Sequence, residues 1–146
     1  MGNLYIVRGS LTAGAAATRD FLSVTTQSKQ RVSIREVHFG NEAAVAAQGV
    51  RWQLVTLSAD VTGSAFTPTP QDQDNAKASY ASAKSTVTAN GTVDKVLDEY
   101  GFDILIPFTK RYPTGAIVVG NGQIVALRKI IGADTTIWAA NLVFEE

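Results

Sequence analysis

The chain has 146 residues, 45% of them hydrophobic, which is enough for one domain with a real core. Thirteen Lys plus Arg balance thirteen Asp plus Glu, so no global field draws it to nucleic acid or to an anionic membrane. The absence of cysteine excludes disulfides, thiolate metal sites and thiol nucleophiles together.

With zero net charge and 18% charged residues, solubility rests on neutral polar groups, a balance that favours association. The N-terminus lacks a basic region followed by an apolar run, so no secretion signal is expected. Ile6 stands where a myristoylation motif needs Ser or Thr. The apolar run Ile104 to Ile106 is far too short to span a bilayer, so no membrane partner is expected.

Leu4 to Val7 has the β-branched and aromatic content of a strand. Residues Gly9 to Thr18 read as a small, flexible loop, without the Gly-Lys-Ser/Thr ending of a phosphate loop. Phe21 to Thr25 alternates as a half-buried strand does. Together, residues 1–30 form an N-terminal arm of strands.

In Arg31 to Phe39, Val32 and Ile34 share one parity while Val37 and Phe39 have the other. Side chains alternate with period two, so either a bulge near Arg35-Glu36 resets the register or both faces are covered. The two adjacent charges favour the bulge. Gly40 to Gln48 reads as a loop whose Ala-rich middle suits a helical turn, and Val50 to Leu57 as a strand with Trp52 and Leu54 facing together.

Ser64 to Ala89 interrupts the strand pattern with two prolines and an Ala/Ser-rich tract. It is expected to be an ordered excursion, extended at Thr67 and Thr69, which precede prolines, with helix as the alternative over Asp74 to Lys84. Thr86 to Thr88 reads as a brief strand, and Asn90-Gly91 as a tight turn because both residues tolerate positive φ. Val93 to Tyr100 is acidic, and Phe102 to Phe108 reads as a strand that Pro107 confines to an edge or end.

Tyr112-Pro113-Thr114-Gly115 reads as a turn. Ala116 to Val119 and Gln123 to Ile131 read as a hairpin around Gly120-Asn121-Gly122. After a turn at Gly132-Ala133-Asp134, Thr135 to Phe144 places Trp138, Ala140, Leu142 and Phe144 on one core-facing side. Eight or nine short strands with regular turns and no internal repeat predict a single all-β domain over 1–146, an antiparallel sandwich or barrel with at most one or two short helices.

Candidate chemistry is sparse. His38, the only histidine, lies between Val37 and Phe39 without a nucleophile-elbow motif, so a structural or surface histidine is expected. Gln71-Asp72-Gln73-Asp74-Asn75 offers oxygen ligands but lacks the glycine and distal glutamate of a calcium loop, and reads as helix capping or a solvated segment. Asp94, Asp98, Glu99 and Asp103 would serve glycoside hydrolysis only if strands assembled them into a pair. Arg51-Trp52 suggests sugar stacking, but its alternation with Leu54 favours core. Asn90-Gly91-Thr92 matches a glycosylation acceptor, with the turn as the simpler explanation. No catalytic, cofactor or metal site is assigned, and the chain is expected not to be an enzyme.

Arg31-Val-Ser-Ile-Arg-Glu-Val-His-Phe-Gly40, Arg51-Trp-Gln-Leu54, Thr67-Pro-Thr-Pro70 with Asp72 and the Ala-rich tract, the glycine-bearing hairpin and a strand ending in Val143-Phe144-Glu145 occur in order. Together they cover most of the chain from residue 31 onward. In this the chain resembles head decoration, or cement, proteins of tailed bacteriophages. The resemblance implies a jelly-roll-like β-sandwich that forms a homo-oligomer, with a trimer favoured. It also implies binding to the major capsid protein on the outer capsid surface of the virion. A carbohydrate-binding or carbohydrate-active β-sandwich module is the alternative.

Overall fold

The computed structural model describes residues 2–12, 18–41, 48–74, 76–131 and 137–146, and these contain twelve strands and no helix. They are β1 (Leu4–Thr12), β2 (Arg19–Thr25), β3 (Arg31–Asn41), β4 (Gly49–Ala59), β5 (Thr62–Phe66), β6 (Thr69–Pro70), β7 (Ser82–Ala89), β8 (Thr92–Asp103), β9 (Phe108–Arg111), β10 (Val118–Gly120), β11 (Ile124–Ile131) and β12 (Ile137–Glu145). Three expected features fall wholly or partly outside the described residues. They are the middle of the first loop, the Ala-rich turn between β3 and β4, and the turn at Gly132-Ala133-Asp134.

All pairings are antiparallel and they nest. β1 pairs β12, β2 pairs β11, β3 pairs both β9 and β10, and β4 pairs β8. Successive nested pairs alternate between two sheets, one containing β1, β12, β3, β9 and β10, the other β2, β11, β4 and β8. That is the connectivity of a jelly roll, with β9 and β10 together forming its sixth strand.

The parity break in β3 is a bulge. Val143 pairs Glu36 while Phe144 pairs Ile34, so Arg35 is the extra residue, and Val32, Ile34, Val37 and Phe39 all reach the core. The facing strand breaks at the same level, β9 ending at Arg111 opposite Glu36 and β10 resuming at Val118 opposite Ser33. Gly115, with φ of 78°, turns the intervening chain, and the Ala116 N–H donates to the Pro113 carbonyl at 3.1 Å.

Both inner faces contribute aromatic rings to one core. Phe39 lies 4.5 Å from Trp52 between ring centres, Phe21 4.7 Å from Trp52, and Phe102 stacks on Phe108 at 4.9 Å. Trp138, Ala140, Leu142 and Phe144 are fully buried, as their shared parity requires. β2 departs from the half-buried expectation, because Asp20 through Val24 are all buried. Its pairing with β11 skips Phe21, which places Phe21, Leu22 and Val24 together in the core, while Ser23 bonds Asp60 across the outer face.

The stretch between β4 and β8 is an ordered excursion without helix among its described residues, which corrects the helical alternative over Asp74 to Lys84. β6 adds to β1 in one sheet, while β7 adds to β2 and β5 to β7 in the other, so the excursion extends both sheets along one edge. The N–H groups of Tyr80 and Ala81 donate to the Glu146 carboxylate at 3.2 and 3.1 Å, not to carbonyls one helical turn back. Ala81 and Ala83 are buried where the tract meets the sandwich. A tertiary partner thus overrides the helix propensity of the alanines.

Three further local readings are corrected. Gly120-Asn121-Gly122 does turn, with φ of 57° at Asn121 and 80° at Gly122, but β10 pairs β3 while β11 pairs β2 and β4. The turn therefore carries the chain between sheets instead of closing a hairpin. Asn90-Gly91 is not a positive-φ turn. Asn90 accepts from the Asp20 N–H and donates to the Thr18 carbonyl, and a Cβ on Gly91 would come within 2.5 Å of the Ala59 carbonyl oxygen. Phe102 to Phe108 is not one strand: β8 ends at Asp103, Ile104 tucks against the Gln48 carbonyl, and β9 starts at Phe108.

Candidate functional site

The residues weighed on sequence grounds are dispersed. His38 lies on the outer side of β3, its Nδ1 2.7 Å from the Thr109 hydroxyl. Trp52 is fully buried, which settles it as core. Gln71 to Asp74 are exposed; the Asp74 N–H donates to the Asp72 carboxylate at 3.1 Å, a local turn contact and not a helix cap.

The four carboxylates on β8 have separate environments. Glu99 pairs with Arg51 at 3.1 Å, Asp103 accepts from the Leu105 N–H at 2.9 Å, and Asp94 is exposed without a partner among the described residues. Asp98 alone enters a network. No group of three His, Cys, Asp or Glu among the described residues is placed to hold a metal ion.

That network joins the two sheets at the β8/β9 edge. Asp98 Oδ2 accepts from Lys110 and from the Tyr112 hydroxyl, both at 2.6 Å, and Tyr112 shares a hydrogen bond with the Tyr100 hydroxyl. The Lys110 ammonium also lies 5.6 and 5.4 Å from the Tyr100 and Tyr112 ring centres, within cation–π range. Burial works to raise the Asp98 carboxyl, but bonds from Lys110, Tyr112 and the Glu99 N–H together outweigh it and hold the group below the usual carboxylate value. Burial pushes both phenols well above their ordinary value, and for Tyr112 the bond to the Asp98 carboxylate pushes further. This arrangement clamps the edge.

The opposite feature, a set of groups left open to solvent, lies where the chain ends meet three turns. The Asn3 and Glu146 backbones bond each other, and Glu146 accepts from Gln30 Nε2 at 2.9 Å. The Asn121 N–H donates to the Gln30 carbonyl, and the Gly115 N–H to the Ser33 hydroxyl at 2.9 Å. These ties surround Arg31 with three hollows of about 330, 290 and 350 Å³, and Arg31 lines all three.

The acids around this groove are engaged. Glu145 pairs with Arg35, and the Glu146 side chain accepts from Gln30, Ser79 and the Tyr80 and Ala81 N–H groups. The Arg31 side chain is exposed and has no hydrogen bond or ion pair among the described residues. Lys77 stands 5.2 Å above the ring of Tyr80, which is 56% exposed, and both line one hollow; Val118, half exposed, lines the other two. The groove thus combines a free guanidinium with aromatic and apolar surface.

A second open surface is β8, an outermost strand of its sheet, paired among the described residues with β4 alone. Val96 is 50% exposed, and Leu97 is exposed beside it. The pairing with β4 skips Asp94 and Leu97, so two bulges interrupt the free edge. The sequence shows the acidic and apolar residues of β8. It carries no local signal for the Arg31 groove, whose walls come from segments far apart in the chain.

No family model matches the chain, and no curated protein matches it. Among solved structures, the chain is similar to one in the crystal structure of the T13 IBDV viral particle, with 11% identity and a TM-score of 0.21. The alignment covers 97% of this chain and 39% of that chain. A likeness at that score bears on neither fold nor function.

Proposed function

We propose that the chain is a non-enzymatic structural component of a virion, a decoration or cement protein that assembles as a homotrimer and binds the major capsid protein on the outside of a phage head. The observation that carries this reading is the jelly roll with a twelve-residue outer strand, β8, unpaired along one edge among the described residues and exposing Val96 and Leu97. Exposed strand edges with apolar residues are templates for association unless another chain covers them. The resemblance of the sequence to phage head decoration proteins supports the same reading and its trimeric state.

Stabilisation of the head follows from mass action. A protein that binds only the assembled shell shifts the shell away from disassembly. Contacts between copies depend more on apolar groups than on salt bridges, because only 18% of the residues are charged. The test is the mass in solution across salt concentrations, followed by co-sedimentation with undecorated heads. A trimer that persists in moderate salt and binds heads is expected; a monomer at working concentration, or a trimer that ignores heads, contradicts the proposal.

The alternative, a carbohydrate-binding module, is favoured by one observation: exposed Tyr80 shares its hollow with Asn3 and Gln30. Broadening of the Tyr80 ring signals on titration with neutral and acidic sugars would support it.

A further inference from the structure

The groove around Arg31 and the outer strand β8 are complementary in kind, although they lie apart on the molecule. The groove offers an exposed guanidinium without a partner among the described residues and a half-exposed Val118. Strand β8 offers Asp94, an exposed carboxylate without a partner among the described residues, two residues before half-exposed Val96 and its exposed neighbour Leu97. The bulges at Asp94 and Leu97 interrupt the regular edge, so a continuous ladder of backbone bonds with another strand is disfavoured there. Side chains are therefore left to make the contact.

We propose that the Asp94–Leu97 segment of one copy docks into the Arg31 groove of a second copy, with Asp94 on Arg31 and the Val96–Leu97 pair on Val118. This rests on the homo-oligomer reading and specifies its interface. The two patches differ, so the contact is head-to-tail, and a head-to-tail contact closes into a ring when its rotation allows. A twofold pairing of β8 with itself would leave Arg31 without a partner. In the ring, each copy gives one segment and receives one, so Arg31 and Asp94 each gain a partner. The apolar contact supplies most of the affinity, and the charge pair sets register and excludes wrong docking. That division keeps the ring intact in moderate salt.

Sedimentation velocity on the full chain tests the interface, with thermal melting to verify folding. Arg31 and Asp94 are both exposed, so Arg31→Glu and Asp94→Lys are expected to fold. Each single variant should weaken association at least about tenfold, the scale of a lost and reversed interfacial charge pair, and the double variant should regain the wild-type mass. Arg31→Gln, which removes charge without reversing it, should fall between. If either reversal keeps the wild-type mass, or the double variant is as weak as the singles, this interface is wrong. A wild-type oligomer indifferent to all three variants overturns the interface alone, whereas a monomeric wild type overturns the assembly reading with it.

Discussion

Replacing Asp20 by alanine tests how the central excursion is fastened to the sandwich. Asp20 is fully buried on β2, where its carboxylate accepts from Arg128 at 2.6 and 2.7 Å and from the Gly91 N–H at 2.8 Å. Arg128 in turn donates to the Gly91 carbonyl at 2.9 Å. The substitution leaves a nearly buried guanidinium with one neutral acceptor and strips Gly91 of its bond from the N–H. Breaking a buried pair by removing one partner costs about 3–5 kcal/mol. At about 2–4 °C per kcal/mol for a domain near this size, the midpoint of thermal unfolding should fall by about 6–20 °C. Urea unfolding of wild type, Asp20→Ala, Arg128→Met and a double variant, Asp20→Leu with Arg128→Met, measures this. The double variant should lose less than the two singles summed, since replacing a whole buried pair by apolar groups is far cheaper than orphaning half of it. Hydrogen exchange at the Gly91 amide should quicken in Asp20→Ala. A loss under about 1 kcal/mol in that variant would show that the pair contributes little and that the excursion is fastened elsewhere.

Glu146→Ala removes the acceptor for Gln30, Ser79 and the Tyr80 and Ala81 N–H groups; stability should fall by about 2 kcal/mol, and limited proteolysis should cut between residues 71 and 81 faster than in wild type. Unchanged proteolysis would contradict this anchoring. The Asp98 carboxyl is held below its unfolded value, so its contribution is present above about pH 4 and is lost as pH falls through the folded value. Tyr112→Phe, which removes one of its donors, should shrink that acid-limb loss, as read from urea midpoints between pH 2 and 6. For Tyr100 and Tyr112 the folded values are raised, so their contribution is intact below about pH 10 and is lost as pH rises through the folded values. Their ultraviolet ionisation signal should therefore emerge late, with alkaline unfolding, and a normal titration near pH 10 would contradict the buried pair. Gly91→Ala forces a Cβ toward the Ala59 carbonyl and should cost about 1–3 kcal/mol in urea unfolding, where a neutral result would contradict the close approach.

Features governed by alternation were legible in the sequence. The parity change between Val32–Ile34 and Val37–Phe39 has few physical solutions, and the bulge at Arg35 is one of them. The common face of Trp138, Ala140, Leu142 and Phe144 follows from period two alone. Turn chemistry was legible at Asn121-Gly122, but sheet membership was not: a local turn fixes where the chain reverses, while distant strands decide which neighbour each arm finds. The Ala-rich tract misled because Glu146, far along the chain, supplies the acceptors that a helix would have supplied locally. Asn90-Gly91 misled for a related reason, since the Asn90 side chain and the lack of a Cβ on Gly91 serve a crossing over the sheet and not a tight turn. The Arg31 groove was invisible. Arginine at the start of a strand is ordinary, and only the fold brings residues 2–3, 77–80, 114–121 and 145–146 around it.

The central claim, that this chain is a structural component on the outside of a phage head, is tested most directly by electron cryo-microscopy of heads from the source particle. The account predicts density for this jelly roll on the outer shell surface, in copies of three around local threefold positions, with β8 of each copy against its neighbour. Heads whose outer surface lacks this chain, or density for it as isolated single copies, would contradict the account.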